Sequence, residues 1–400
     1  MQFKLAMTKI MNPTTKFIHT HKNKPLTEIA LLLGKHPELN KNFILSQING
    51  LQKAKTKLPT FYENENIIYP VGLSMEQCSS EQTALFKSQL VKGKTAVDLT
   101  GGFGVDAYFF AKQFLEVTYV EQNAELFEIA QHNFQVLNAP IQCYQSSCED
   151  FLVKNTQIFD LAYIDPSRRD ETKRVFKLTE CSPNVIELLP QLLKTAKQII
   201  IKTSPLLDIK QTLADLQLVN KVWVVSVNND CKEVLYLVEN STTISPEIVA
   251  ANLSKDTSTF LFNYESEVNT SVDFSEPLSY LYEPNASVLK AGGFKSIAQF
   301  FQLKKLAVNT HLYTSEKLVV NFPGRYFKIN HTLEYNEKKF KTLGIKKANI
   351  TARNFPDSIE QIKKKLKLSD GGNDYIFATK DLNDKPVLIA TKKETSTGSM

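Results

Sequence analysis

The sequence predicts an α/β protein of several parts: a largely parallel sheet set between a basic helical segment and a C-terminal α+β module. Three observations predict it. From about residue 75 to 242, short apolar runs alternate with helical periods, the pattern of βαβ units. At 400 residues the chain exceeds one ordinary domain, and 42% hydrophobic against 22% charged residues supply a large core rather than a disordered coil. Charge is also segregated. Residues 1–60 hold ten Lys against two Glu, and residues 301–400 hold nineteen Lys or Arg against ten acids, which leaves residues 61–300 at −11 of the total +6. Basic ends around an acidic middle suit end modules that meet a polyanion, although Lys-rich faces are also simply well solvated.

Taken in order, Pro25-Leu26-Thr27 opens a helix that Gly34 stops, and Phe43, Ile44, Ile48 and Leu51 mark a second helix over Lys41 to Lys55. Ser79-Ser80-Glu81 starts a helix running toward Val91. TAVDLT reads as a buried strand, AYFFAKQF as a helix, EVTYVEQ as a strand and AELFEIAQHNFQVL as an amphipathic helix. IQCYQSS, FDLAYIDP and QIIIKTSP supply three further strands, and KVWVVSVNNDCKEVLYLVEN forms two strands across Asn228-Asn229-Asp230. Residues 243–276, rich in Ser, Thr and Asn, read as a connection. Strand-like LYTSEKLVVNF, RYFKINHTL, NDYIFATK and KPVLIATK follow, with the Lys-rich helix DSIEQIKKKLKL. The expected divisions are 1–74, 75–242, 243–276 and 277–394, with a disordered tail over 395–400.

The glycine turn carries the first chemical signal. Asp98-Leu99-Thr100-Gly101-Gly102-Phe103-Gly104 follows a strand and precedes a helix, and Glu121 ends the next strand. Glycines allow the tight turn and let a ligand approach the backbone, while a carboxylate at Glu121 accepts both hydroxyls of a ribose. A dinucleotide is the competing ligand, with Ala107 in the third small-residue place. Asp98 and Asp106 flank the turn, however, and they repel a pyrophosphate. They suit the sulfonium and amino group of S-adenosyl-L-methionine.

The second signal is Asp165-Pro166-Ser167-Arg168-Arg169, placed after the fourth strand where loops of open α/β sheets face the ligand crevice. Asp165 and the Pro166 carbonyl can hold the amino group of a base. Arg168 and Arg169 suit a substrate phosphate, or else pair with Asp170 or Glu171. Lys202 ends the fifth strand near the crevice and borders the substrate or simply closes an αβ turn.

Together these residues resemble class I S-adenosylmethionine-dependent methyltransferases over about 75–240. Thr100 stands where that family usually has its first glycine. The resemblance implies a Rossmann-like seven-stranded methyltransferase sheet. The whole chain resembles a bacterial group of such enzymes with a C-terminal THUMP-like α+β domain, through EQCSSE, DLTGGFGVD, DPSRR and Tyr282-Glu283-Pro284-Asn285 followed by Val288, Lys290, Ala291 and Gly292. The resemblance implies that Asp98, Gly102 and Gly104 surround the methionine part of the cofactor and that Glu121 takes the ribose, with Thr100, Gly101 and Asp106 as further cofactor-binding candidates. Ser147 or Cys148 would lie beside the adenine, and Ser80 and Glu81 would close over the cofactor. It implies Asp165 and Pro166 as the catalytic pair, and an RNA substrate, rRNA or tRNA.

In the C-terminal module, Arg325 sits between aromatics beside Pro323-Gly324, and Lys346, Lys347, Arg353 and Phe355 follow. Arg325 and Arg353 are candidate RNA contacts; Tyr326, Phe327 and Phe355 read first as core. Six histidines and five scattered cysteines show no metal or disulfide spacing, and no apolar run spans a bilayer. The expectation is a cytoplasmic, metal-free enzyme transferring a methyl group to a base nitrogen of RNA. A methyltransferase acting on protein or a small molecule, or an inactive RNA-binding protein that keeps the cofactor, are the alternatives.

Overall fold

A computed structural model describes residues 13–168, 177–241 and 245–394, with the backbone alone for Arg168. The chain divides into two compact units. Within the described residues, the first runs to Val219 and resumes over 236–241; the second comprises 220–235 and everything from 245 onward.

The first unit opens with helices Leu26–Leu33 and Lys41–Lys57, then the short helices Pro59–Tyr62 and Gly72–Gln77, and the helix Glu81–Ser88. Ile18, Ile29, Leu33, Ile44 and Ile48 make a small core of their own. The Asn40 side chain caps the second of these helices by accepting from the Phe43 N–H at 3.1 Å. Five parallel strands follow: β1 (Thr95–Asp98), β2 (Glu116–Glu121), β3 (Ile141–Gln145), β4 (Phe159–Ile164) and β7 (Ala196–Thr203). β1, β2, β4 and β7 are largely buried, as sheets covered on both faces require. β5 (Ser167–Arg168) and β6 (Cys181–Ser182) form a small antiparallel ribbon after β4.

A hairpin of β8 (Val219–Val227) and β9 (Asp230–Glu239) comes next, and its turn residues Asn228 and Asn229 both have positive φ, as a two-residue hairpin turn demands. The sheet then continues with β10 (Glu247–Leu253) and β11 (Ser258–Phe262). The hydrogen-bonded order is β11-β10-β8-β9-β7-β4-β1-β2-β3, nine strands in all. Residues 243–276, expected to be a connection, therefore contain two strands of the sheet. The Ser- and Thr-rich flanks hid EIVAANL and STFLF, although β10 buries Ile248, Val249, Ala250, Ala251 and Leu253.

The second unit also holds a seven-stranded sheet: β12 (Tyr280–Pro284), β13 (Lys304–Ala307), β14 (Thr310–Ser315), β15 (Gly324–Glu334), β16 (Lys347–Ala352), β17 (Ser369–Lys380) and β18 (Pro386–Lys393), in the order β13-β14-β12-β15-β18-β17-β16. Its pairs are antiparallel except β16 with β17, which the helix Ile359–Leu366 connects. Ser358 and Gln361 close a capping box on that helix, and Ile362 and Leu366 dock into a core with Phe340, Ala348 and Ile376. β16 begins at Lys347, in the basic stretch noted from the sequence for Lys346, Lys347 and Arg353.

Candidate active site at the glycine turn

β1 delivers Asp98 to the carboxyl end of the sheet. The turn behind it needs its glycines for two separate reasons. Gly102 and Gly104 have φ of +53° and +83°, a region that side chains with a Cβ disfavour. At Gly101 a Cβ would lie 2.1 Å from the Tyr119 ring, and at Gly104 one would lie 2.5 Å from the Phe134 ring. Tyr119 in turn donates its hydroxyl to the Gly102 carbonyl at 2.6 Å.

Glu121 ends β2 beside this turn. Its Oε2 accepts the Gly102 N–H and its Oε1 accepts the Asn123 N–H, both at 2.7 Å. Each carboxylate oxygen keeps a further lone pair, so the residue is fixed in place and still able to accept hydroxyls. The Asp98 carboxyl accepts the Thr100 N–H at 3.2 Å. Burial, and then the charge of Asp106, push this carboxyl well above the usual carboxylate range.

Asp106 solves the same burial differently. Desolvation opposes its charge, but Lys87, Lys202 and the Ser79 hydroxyl outweigh it and hold the carboxyl below its ordinary value. Its Oδ2 accepts from Ser79 Oγ at 2.7 Å and from the Tyr163 hydroxyl at 3.1 Å, while the fully buried Lys87 ammonium lies 3.1 Å from Oδ1 and 2.8 Å from Ser79 Oγ. Sequence reading gave no role at this site to Lys87, Ser79 or Tyr163, which it placed only in a helix, a helix start and a strand.

Asp165 follows β4 directly. Its N–H donates to Thr100 Oγ1 at 2.7 Å, which ties the β4 loop to the glycine turn. Its Oδ2 is bound by the Lys202 ammonium from the end of β7. Pro166 is buried behind it. The structure thus brings together Asp98, Thr100, Gly101, Gly102, Gly104, Asp106, Glu121, Asp165 and Lys202. Ser147 caps the helix Cys148–Lys154 by accepting the Asp150 N–H at 3.1 Å, and burial pushes the Cys148 thiol up to about 12. Ser80 caps the helix Glu81–Ser88, and both Glu81 oxygens are engaged at 2.8 Å by the N–H and hydroxyl of Thr60. Of the expected phosphate contacts, Arg169 and the side chain of Arg168 lie outside the described residues.

In the second unit, Arg325 and Arg353 converge on one carboxylate. Glu283, only 2% exposed, accepts Nε and Nη2 of Arg325 at Oε2 and Nε and Nη2 of Arg353 at Oε1. Both arginine side chains stay about two-fifths exposed. Phe327 is core, and Phe355 packs against Tyr335 at 4.9 Å between ring centres. Among the described residues, no group of three or more His, Cys, Asp or Glu side chains is arranged to hold a metal ion, and no helix is long and apolar enough to cross a membrane.

Comparison with known proteins follows this division. A ferredoxin-like domain family matches residues 280–323, and a THUMP domain-like family matches residues 324–393. No curated protein matches. The crystal structure of a candidate methyltransferase from Porphyromonas gingivalis W83 shares 30% identity, with a TM-score of 0.85, over 96% of this chain and 98% of that one. An rRNA methylase from Streptococcus thermophilus aligns over 40% of this chain and 93% of its own at 14% identity and a TM-score of 0.30. A Pyrococcus abyssi tRNA (uracil-54, C5)-methyltransferase with S-adenosyl-L-homocysteine aligns over 44% and 40% at 14% identity and a TM-score of 0.29. Those two likenesses are too slight to bear on substrate. With the glycine turn between β1 and the next helix and the matched C-terminal domains in one chain, this protein belongs to the family of the Porphyromonas gingivalis candidate methyltransferase, a methyltransferase fold with a THUMP-like C-terminal domain.

Proposed function

We propose that the chain is an S-adenosylmethionine-dependent methyltransferase acting on a base nitrogen, an exocyclic amino group, of rRNA or tRNA. One observation carries this reading. The buried Asp98 carboxyl, pushed toward its neutral form, stands at a turn whose backbone only glycine can follow, beside an immobilised Glu121. A group in that state gains its charge when a cation arrives. The donor set fits S-adenosylmethionine: an acid for its amino group and sulfonium, a carboxylate for its ribose, and the β3 end near Ser147 and Cys148 for its adenine. When bound, the cofactor supplies a methyl group on a sulfonium, an electrophile with a good leaving group.

The protein's part is then mostly positioning. Asp98, Gly102 and Gly104 hold the methionine end. Asp165 accepts an N–H of the substrate amino group and aims its lone pair, and Lys202 holds Asp165 in place. The bond from the Asp165 N–H to Thr100 fixes the spacing between donor and acceptor. Arg325 and Arg353 remain exposed enough to meet phosphates. RNA affinity should then fall steeply with salt.

The test is transfer of labelled methyl from S-adenosylmethionine to total RNA and to total protein. Label in RNA, mapped to a base amino group and lost in Asp165→Ala, supports the reading. Label confined to protein, or absent with both, overturns it.

A further inference from the structure

We propose that a basic cavity in the N-terminal helical segment binds one nucleotide of single-stranded RNA, its base on Tyr62 and its phosphate on Lys22 and Lys55. The choice of RNA as ligand rests on the function proposed above; the cavity itself does not. It measures about 350 Å³, within the range of small-ligand sites, and Lys22, Lys24, Leu51, Gln52, Lys55 and Tyr62 line it without any carboxylate.

Each part has a distinct role. The Lys22 ammonium lies 5.9 Å from the centre of the half-buried Tyr62 ring, so charge and aromatic face share one concavity. Glu28 engages Lys24, which leaves Lys22 and the exposed Lys55 as the main cations. They come from separate stretches, the 22–24 loop and the helix Lys41–Lys57. The Gln52 amide joins those stretches by donating to the carbonyls of Lys22 at 2.9 Å and Lys24 at 2.8 Å. That leaves Gln52 Oε1 as an acceptor for a base edge. Like charges held in one hollow repel, and an anion relieves them. Cation, amide and aromatic face together describe a nucleotide, and stacking on an aromatic suits any unpaired base.

The cavity is also wired to the glycine turn. Phe61, next to Tyr62, packs its ring 5.5 Å from Phe103 of the turn and 5.4 Å from Tyr108. Thr60, one residue earlier, holds Glu81. An RNA seated on Tyr62 is thus two residues along the chain from contacts that shape the cofactor side.

The experiment measures binding of a short fluorescein-labelled oligouridylate to the full chain by anisotropy, over a series of KCl concentrations. The Lys22→Ala/Lys55→Ala double variant should lower the salt slope by about 0.7 to 1.4. Tyr62→Ala should weaken binding about 5- to 150-fold, and Tyr62→Phe should restore it. Unchanged melting temperature and unchanged S-adenosylhomocysteine affinity show that each variant is folded. Uridine monophosphate should compete with the RNA. Affinity and slope unaltered in both alanine variants would overturn the cavity assignment, as would monophosphate binding that RNA does not displace. Methyl transfer to RNA by the unmodified protein is read separately. Transfer that persists while the variants bind normally rejects the cavity alone, and absent transfer with Tyr62-dependent binding rejects the enzyme reading alone.

Discussion

Two aspartates eight positions apart show how neighbours decide the state of a buried acid. Asp98 is pushed up by burial and by the charge of Asp106; Asp106 has Lys87 and is held down. The sign for Asp98 is definite. A folded-state value above the unfolded one means that the folded protein binds the proton more tightly, so the group's contribution to stability is lost as pH rises through the folded value. Asp98→Asn should therefore raise the melting temperature of the ligand-free protein at pH 8 more than at pH 5, while abolishing cofactor binding. A melting series at both pH values, with calorimetric titration of S-adenosylhomocysteine, checks this. In the unmodified protein the same ligand should bind more tightly as pH rises, up to the raised Asp98 value, and should expel a proton that calorimetry in buffers of different ionisation enthalpy detects. Lys87→Met strands Asp106 in the interior and should cost about 3–5 kcal/mol in urea denaturation. Adding Asp106→Asn should return part of that loss. None of this pairing was legible in the sequence, because Lys87 and Asp106 lie on two different helices, Glu81–Ser88 and Val105–Phe110, and share no periodicity that links them. Asp98, Glu121 and Asp165 were legible because each ends a strand or follows one directly, and strand ends converge in this kind of sheet.

Elements were readable where burial is continuous. β1, β2, β4 and β7 announce themselves as apolar runs, and the β8–β9 hairpin as two such runs around Asn228-Asn229. β16 gave no such signal: only Ala348 of its six residues is fully buried, and it opens on a lysine, Lys347, after Lys346. At Tyr282-Glu283-Pro284-Asn285 the sequence gave a motif without its reason. In the structure Glu283 binds two arginines, and Asn285 caps the helix Ala286–Ala291 through the Val288 N–H at 3.1 Å while its amide reaches Ser258 at 3.2 Å. Asn285→Ala should cost about 1–2 kcal/mol through that cap. Gly104→Ala meets both a positive φ and the Phe134 ring, and should cost about 2–4 kcal/mol, read by the same denaturation.

At the scale of the whole molecule, ligand and fold should report on each other unevenly. Hydrogen exchange with and without S-adenosylhomocysteine should show new protection over residues 98–106 and 121–123 and none in β12 to β18. Protection spread evenly over both units would contradict a site confined to the first. The division of the chain has a practical outcome as well. Val222, Trp223, Val224 and Val225 are buried, belong to the second unit, and pair along β8 with β10. A gene shortened to stop after residue 242, the natural place to cut for anyone isolating the half that holds the glycine turn, would strip β10 away and leave that greasy ribbon as a naked sheet margin. Such a product should elute from a sizing column as large aggregates, whereas the uncut polypeptide should not.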